Sequence, residues 1–272
     1  MGVGLLVGII RQPYSYNVGV KLSALLVAAC VLAQTPAPPR LTFDVIAIHP
    51  SNPTATFGRI KPIPGNYGYT AENIPVRLMI ALMYKVPGRQ IEGGPSWLDT
   101  DRFDVEARAD APHSIDDLHT MYQNLLVDRF GLRFHHEVRE GNIYALTIDP
   151  SGLKLKPNIS PDDDKIPVNG GPARTTGVRV PMIYLTWLLS QILQNDGRPV
   201  VDETGLTGNY DFILSYRPIL PPDAPADSLP PEERDLPTLF DALRTQLGLH
   251  LTATRGAVDH LVIDQVEKPT AN

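Results

Sequence analysis

A chain of 272 residues with 43% hydrophobic and 20% charged residues can bury the core of one large or two small domains. Its net charge of −6 offers no general basic face for phosphate neutralisation, which sets nucleic acid aside as a partner. The single cysteine, Cys30, sits near the N-terminus, so disulfides, a thiolate nucleophile and cysteine-ligated zinc are excluded from the body that follows.

Residues 1–33 read as a signal or targeting segment. Lys21 precedes the apolar run Leu22 to Ala33, which is too short to span a bilayer and suits a signal-peptide core cleaved before Gln34. Met1 to Gly19 stands in front of it with an apolar run of its own, and the initiation site is expected near Val20. Val27-Ala28-Ala29-Cys30 resembles a lipobox, so Cys30 is either a lipidation site or discarded with the leader. The expected destination is export, to the periplasm, the outer membrane or the medium, with membrane contact only through a retained signal or lipid anchor.

Residues 34–40 form a proline-rich spacer. From 41 to 149 the pattern predicts an α+β repeat with leading strands. Leu41 to Ile48 is the first strand, Gly58 to Thr70 a hairpin, and Val76 to Tyr84 a helix with Val76, Met79, Ile80 and Met83 on one face. Strands are expected around Gln90 to Ile91 and Arg102 to Ala107. Ser114 to Asp117 has the form of a capping box opening a helix that Gly131 closes. Two strands, Leu132 to Val138 and Ile143 to Ile148, are expected as a hairpin turning at Glu140-Gly141-Asn142.

Residues 150–176 are a polar linker containing Asp162-Asp163-Asp164. Residues 177–266 repeat the first order of signals, with a proline-rich insertion at 218–235, and 267–272 are a tail. Val180-Pro181 echoes Ile74-Pro75, Gly197-Arg198 echoes Gly88-Arg89, and Tyr210-Asp211 echoes Phe103-Asp104. Gly248-Leu249 likewise echoes Gly131-Leu132. The predicted fold is α+β, with two tandem α-β-β-α-β-β repeats, each helix pair packed on a small mixed or antiparallel sheet.

Gly93-Gly94-Pro95-Ser96-Trp97, Arg102 to Ala107, Leu125 to Phe130 with His135, Arg198 to Asp211 and Val262 to Pro269 resemble the soil-associated protein family. That resemblance covers Phe43 to Asn272 and implies an exported bacterial protein of unknown activity. Similar domains in that family are joined to membrane metallopeptidases of the antibiotic-sensor type. This chain has no His-Glu-x-x-His and carries none of that chemistry. The element order is also similar to the short N-terminal domain of secretins and TonB-dependent receptors, a docking module of the cell envelope.

Candidate chemistry is sparse. Asp202, Glu203 and Asp211 could supply the carboxylate pair of a glycoside hydrolase, yet Asp-Glu-Thr-Gly is ordinary turn chemistry. His135 and His136 fall on opposite faces of a strand, and Ser96 lacks a nucleophile elbow. No catalytic residue, metal or cofactor is therefore assigned. The candidate ligand- or partner-binding residues are Arg89, Trp97, Arg198, Asp202, Glu203, Tyr210 and Asp211. Arg89 and Arg198 are expected to pair with the acids that follow them (Asp99 and Asp101; Asp202 and Glu203), or else to recognise a carboxylate or peptide terminus. Gly93, Gly94, Gly205 and Gly208 are structural turn positions, and at least one of Gly205 and Gly208 should have positive φ with little room for a Cβ. The leading function is a non-catalytic interaction, sensory or docking module that meets an envelope protein or peptide. A secreted hydrolase of cell-wall or plant polymers and a small-ligand-binding protein are the alternatives.

Overall fold

A computed structural model describes residues 40–52, 54–55, 57–160, 167–171, 173–221, 224–225 and 228–269. The leader at 1–33 with Cys30, most of the spacer and Asp162-Asp163-Asp164 lie outside the described residues. In chain order the first half comprises β1 (Val45–Pro50), β2 (Arg59–Pro62), β3 (Gly68–Pro75), α1 (Val76–Tyr84), β4 (Ile91–Gly93), α2 (Trp97–Thr100), β5 (Arg102–Arg108), α3 (Ile115–Phe130) and β6 (Arg133–Ile148). The second comprises β7 (Lys156–Pro157), β8 (Val168–Gly171), β9 (Arg174–Pro181), α4 (Met182–Ile192), β10 (Val200–Asp202), β11 (Asn209–Ser215) and α5 (Pro231–Arg234). It ends with α6 (Leu239–Ala242), a π turn at Leu243–Leu247 and β12 (Leu249–Gln265). The class is α+β, as expected. The 150–176 segment and the 218–235 insertion are not wholly irregular: the first holds β7, β8 and the start of β9, and the second holds α5. No helix among the described residues is long and apolar enough to cross a membrane.

The helices follow their local signals. Pro75 and Pro181, both extended, stand as N-caps of α1 and α4, where their missing N–H costs nothing. Ser114 Oγ accepts from the Asp117 amide at 3.1 Å, and Gly131 closes α3 in the left-handed conformation. The apolar face of α3, from Ile115 through Tyr122 to Phe130, joins α1, β3 and β5 in one core, to which Leu261 and Ile263 of β12 also belong. A second core gathers α4, β11, α6 and the π turn around Tyr144 and Leu146 of β6. Each half thus contributes residues to the other's core.

The sheets show why. The outer sheets run β1-β5-β3-β2 and β7-β11-β9-β8, and the third runs β10-β6-β12-β4. The predicted hairpin between Leu132 and Ile148 does not form. β6 is one continuous strand, paired antiparallel with β12 from Arg133↔Gln265 to Ile148↔Leu249. A tight reversal needs positive φ at its central residues, and Gly141 is not among the residues with positive φ. It faces Gly256 directly across the ladder instead. A Cβ on Gly141 would come within 3.0 Å of Val258, and one on Gly256 within 2.6 Å of Ile143, so both glycines allow close packing rather than a turn.

The short strands then cross over. β4 pairs in parallel with β12, and β10 pairs in parallel with β6. Each half keeps its own small antiparallel outer sheet, as expected; what was not expected is the third sheet, which both halves share. β10 and β11 also do not pair with each other, as a strand-turn-strand reading implies. The stretch between them carries the chain from the shared sheet to an outer one.

The two aromatic-Asp pairs have a structural task. At a bulge in each outer sheet one residue takes positive φ, Asn73 (55°) in the first and Arg179 (53°) in the second. The amide of Asn73 donates to Asp104 Oδ1 at 2.8 Å, and that of Arg179 donates to Asp211 Oδ1 at 2.9 Å. Each aspartate satisfies an amide that the bulge removes from the ladder.

Candidate functional site

The two Gly-Arg turns meet. Arg89 lies in the 3₁₀ turn Gly88–Gln90 that precedes β4, and Arg198 precedes β10. Both line one pocket of about 210 Å³, together with Pro87, Gln90, Ser190 and Gln194. Gly197, at φ 68°, leaves its face open to the guanidinium: a Cβ there would sit 3.1 Å from Arg89 Nη1. The expected ion pairs are absent among the described residues. Asp99 is taken by Arg77 at 2.8 Å and Asp101 by Lys268 at 2.6 Å, while Asp202 Oδ1 accepts from the amide and hydroxyl of Thr204. Arg198 instead lies 5.5 Å from the centre of the Tyr144 ring, whose hydroxyl donates to Asp196 at 2.9 Å.

The other sequence candidates resolve into structure. Asp202 closes an Asx turn, and exposed Glu203 donates its amide to the Leu146 carbonyl. Asp211 is held by the Arg179 amide and by Asn158 Nδ2 at 2.8 Å. Its hydrogen bonds commit it to the bulge, so Asp202 and Asp211 serve separate sheets. Tyr210, buried, donates to the Thr207 carbonyl at 2.9 Å. Trp97 packs edge-on to Phe103 with Lys268 over its ring. Gly93 and Gly94 have φ of 72° and 75°, and Gly205 and Gly208 have 67° and 90°. A Cβ on Gly205 or Gly208 would meet nothing within 4 Å, so conformation rather than space requires glycine there. His135 and His136 bond separately, to Asp264 and Asp259.

A second cavity was not legible in the sequence. It measures about 310 Å³ and lies between the first-half residues Tyr84, Lys85, Asp116 and His119 and the second-half residues Arg179 and Tyr184. Lys85 ends α1 at φ 55°, a left-handed conformation uncommon for a residue with a side chain. Its Nζ folds back to donate to the Leu82 carbonyl at 2.6 Å and lies 5.2 Å from the Tyr184 ring centre and 5.8 Å from that of Trp187. Burial, only partly opposed by the Asp116 charge, pushes the Lys85 amine down to about 8. Burial and then the Lys85 charge push His119 down to about 3. His119 stacks on Tyr69 with ring centres 5.8 Å apart, its Nε2 3.0 Å from the Tyr69 hydroxyl. The available signal was spacing: His119 falls on the α3 face between Ile115 and Tyr122.

This histidine makes stability depend on acid. Its folded pKa lies below the ordinary value near 6.5, so the unfolded chain binds the proton first. Stability is full above pH 6.5 and is lost as pH falls toward 3. Between pH 7 and 4.5 the loss from His119 should be on the order of 2–3 kcal/mol. Urea unfolding at both pH values checks this: His119→Gln should lose less than the wild type by that margin, and equal losses would show that His119 is not held neutral.

No curated protein and no solved structure matches the chain. Residues 77–266 match the model of a family described as protein of unknown function (DUF3738), a span that contains both Gly-Arg turns and the shared sheet, and the chain belongs to that family.

Proposed function

We propose that the chain is a non-catalytic binding module of the cell envelope, which engages a carboxylate-bearing partner such as a peptide terminus at the Arg89/Arg198 pocket. One observation carries the reading: two arginines from equivalent turns in the two halves converge on one pocket, and neither has a carboxylate partner among the described residues. Other arginines are paired, among them Arg40, Arg59, Arg77, Arg108, Arg139 and Arg244. A guanidinium left open in a pocket is suited to forked recognition of a carboxylate. The envelope placement rests on Lys21 and the apolar run Leu22 to Ala33. The matching strand orders of the outer sheets support a duplicated origin, which would explain why the pocket receives one arginine from each half.

The test is an NMR titration of the Arg89 and Arg198 Nε–H resonances with trialanine, carrying either a free or an amidated C-terminus. The free carboxylate should shift both resonances and bind at least tenfold more tightly than the amide. Arg89→Ala/Arg198→Ala should abolish the difference. Equal response to both peptides, or wild-type binding by the double variant, would overturn the proposal.

A further inference from the structure

We infer that the cavity beside Lys85 is a second and independent binding site, for a small apolar monocarboxylate held by Lys85 Nζ and the Trp187 indole N–H. Three observations converge. Lys85 is a largely buried cation with no carboxylate in salt-bridge reach among the described residues, and the Leu82 carbonyl accepts only one of its three protons. Trp187 Nε1 is buried and has no acceptor. Both residues line a cavity of about 90 Å³ that shares Lys85, His119 and Tyr184 with the larger one. A buried donor without an acceptor is rare and unfavourable. The unpartnered Trp187 N–H and the two uncommitted protons of Lys85 Nζ belong to residues lining one cavity, and together they match the two oxygens of a carboxylate.

The remaining walls define the rest of the ligand. Ile60, Pro62, Tyr69, Met83, Ile115 and Tyr184 provide an apolar lining. The volume of the larger cavity, about 310 Å³, lies at the small end of the range for small-molecule sites. Both features fit an aromatic ring or a short acyl chain. The titratable groups on the two cavities are Lys85, His119 and Asp116 of the first half, with Tyr69 and Tyr84, and Arg179 and Tyr184 of the second. His119 is neutral throughout the neutral range, so it neither repels nor pairs with an anion. Asp116 opposes an anion and Arg179 favours one, which leaves Lys85 as the group whose charge changes between pH 7 and 9.5. A bound carboxylate stabilises the ammonium form, so affinity should fall as pH rises through about 8.

The probes are benzoate and its uncharged counterpart benzyl alcohol, titrated into the full chain by NMR at pH 7 and pH 9.5. Benzoate should perturb Trp187 and His119 and bind at least tenfold more tightly than benzyl alcohol at pH 7, with at least a fivefold loss at pH 9.5. Lys85→Met should lose tenfold or more. Trp187→Phe removes the N–H while keeping an aromatic ring at that position, and should lose threefold or more, so the proposal stays testable if the lysine variant does not fold. Arg89→Ala/Arg198→Ala should bind benzoate in this cavity like the wild type, which separates this site from the arginine pocket. Equal binding of the alcohol, a pH-independent affinity, or wild-type affinity in Trp187→Phe would overturn the inference. So would benzoate perturbing only Arg89 and Arg198.

Discussion

Expressed separately, segments 40–149 and 150–269 will each fail to fold, and mixing them will restore the native spectrum. The reason lies in the shared sheet. Without the second half β6 loses its antiparallel partner β12 and its parallel neighbour β10, and β4 loses β12, its one partner among the described residues. The first core would also lose Leu261 and Ile263, which are 0% and 6% exposed, and would leave the rest of that cluster open where they packed. A 16-residue strand with both edges unpaired is itself a template for aggregation. Burying two large aliphatic side chains contributes about 1.5–3 kcal/mol each, and a domain's whole stability is only about 5–15 kcal/mol. Losing the central ladder as well therefore removes the fold rather than weakening it. Amide dispersion in NMR spectra of each half and of the mixture measures this. A cooperative thermal transition in either half alone would contradict the exchange of strands.

Gly248→Ala should cost on the order of 3 kcal/mol or more, whereas Gly131→Ala should cost only about 1 kcal/mol. The two glycines look alike in the sequence, and both cap a helix at positive φ, 67° and 59°. Their surroundings differ. A Cβ on Gly248 would stand 2.1 Å from the Gly152 carbonyl oxygen and 2.7 Å from the Lys154 amide, whereas one on Gly131 would find its nearest atom, on the Glu267 side chain, at 3.8 Å. The segment against Gly248 is held by backbone bonds: the Asp149 amide donates to Gly248 and the Lys154 amide to Leu247, each at 2.9 Å. Lys154 Nζ adds a bond to the Thr245 carbonyl at 2.8 Å, so the loop serves as the cap of the π turn and cannot simply move away. Gly131 has the looser arrangement: the neighbouring C-terminal segment is tied there by the Glu267 amide, which donates to the Phe130 carbonyl at 2.7 Å. Chemical denaturation of both variants would show the difference, and equal losses would mean the loop yields without cost.

The same contrast marks how far residue order reaches in this protein. α1 over Val76–Tyr84, the Ser114 cap, the left-handed glycines and the β2–β3 hairpin were determined locally, because periodicity, capping and turn chemistry act within one or two turns of chain. The matching Gly-Arg and aromatic-Asp pairs were equally visible. What each of them does was not. Asp104 and Asp211 are bulge clips only because a residue some thirty positions earlier takes positive φ opposite them. Arg89 and Arg198 share a pocket only because β4 and β10 exchange between the halves. Gly141, read as a turn, lies inside a strand because its partner is Gly256, and an antiparallel ladder running from Arg133 to Ile148 outcompetes a reversal in the middle of it. Strand partners are chosen by burial and ladder length across the whole chain. For that reason tertiary structure alone decided the shared sheet and the cavity that Lys85 and Trp187 line.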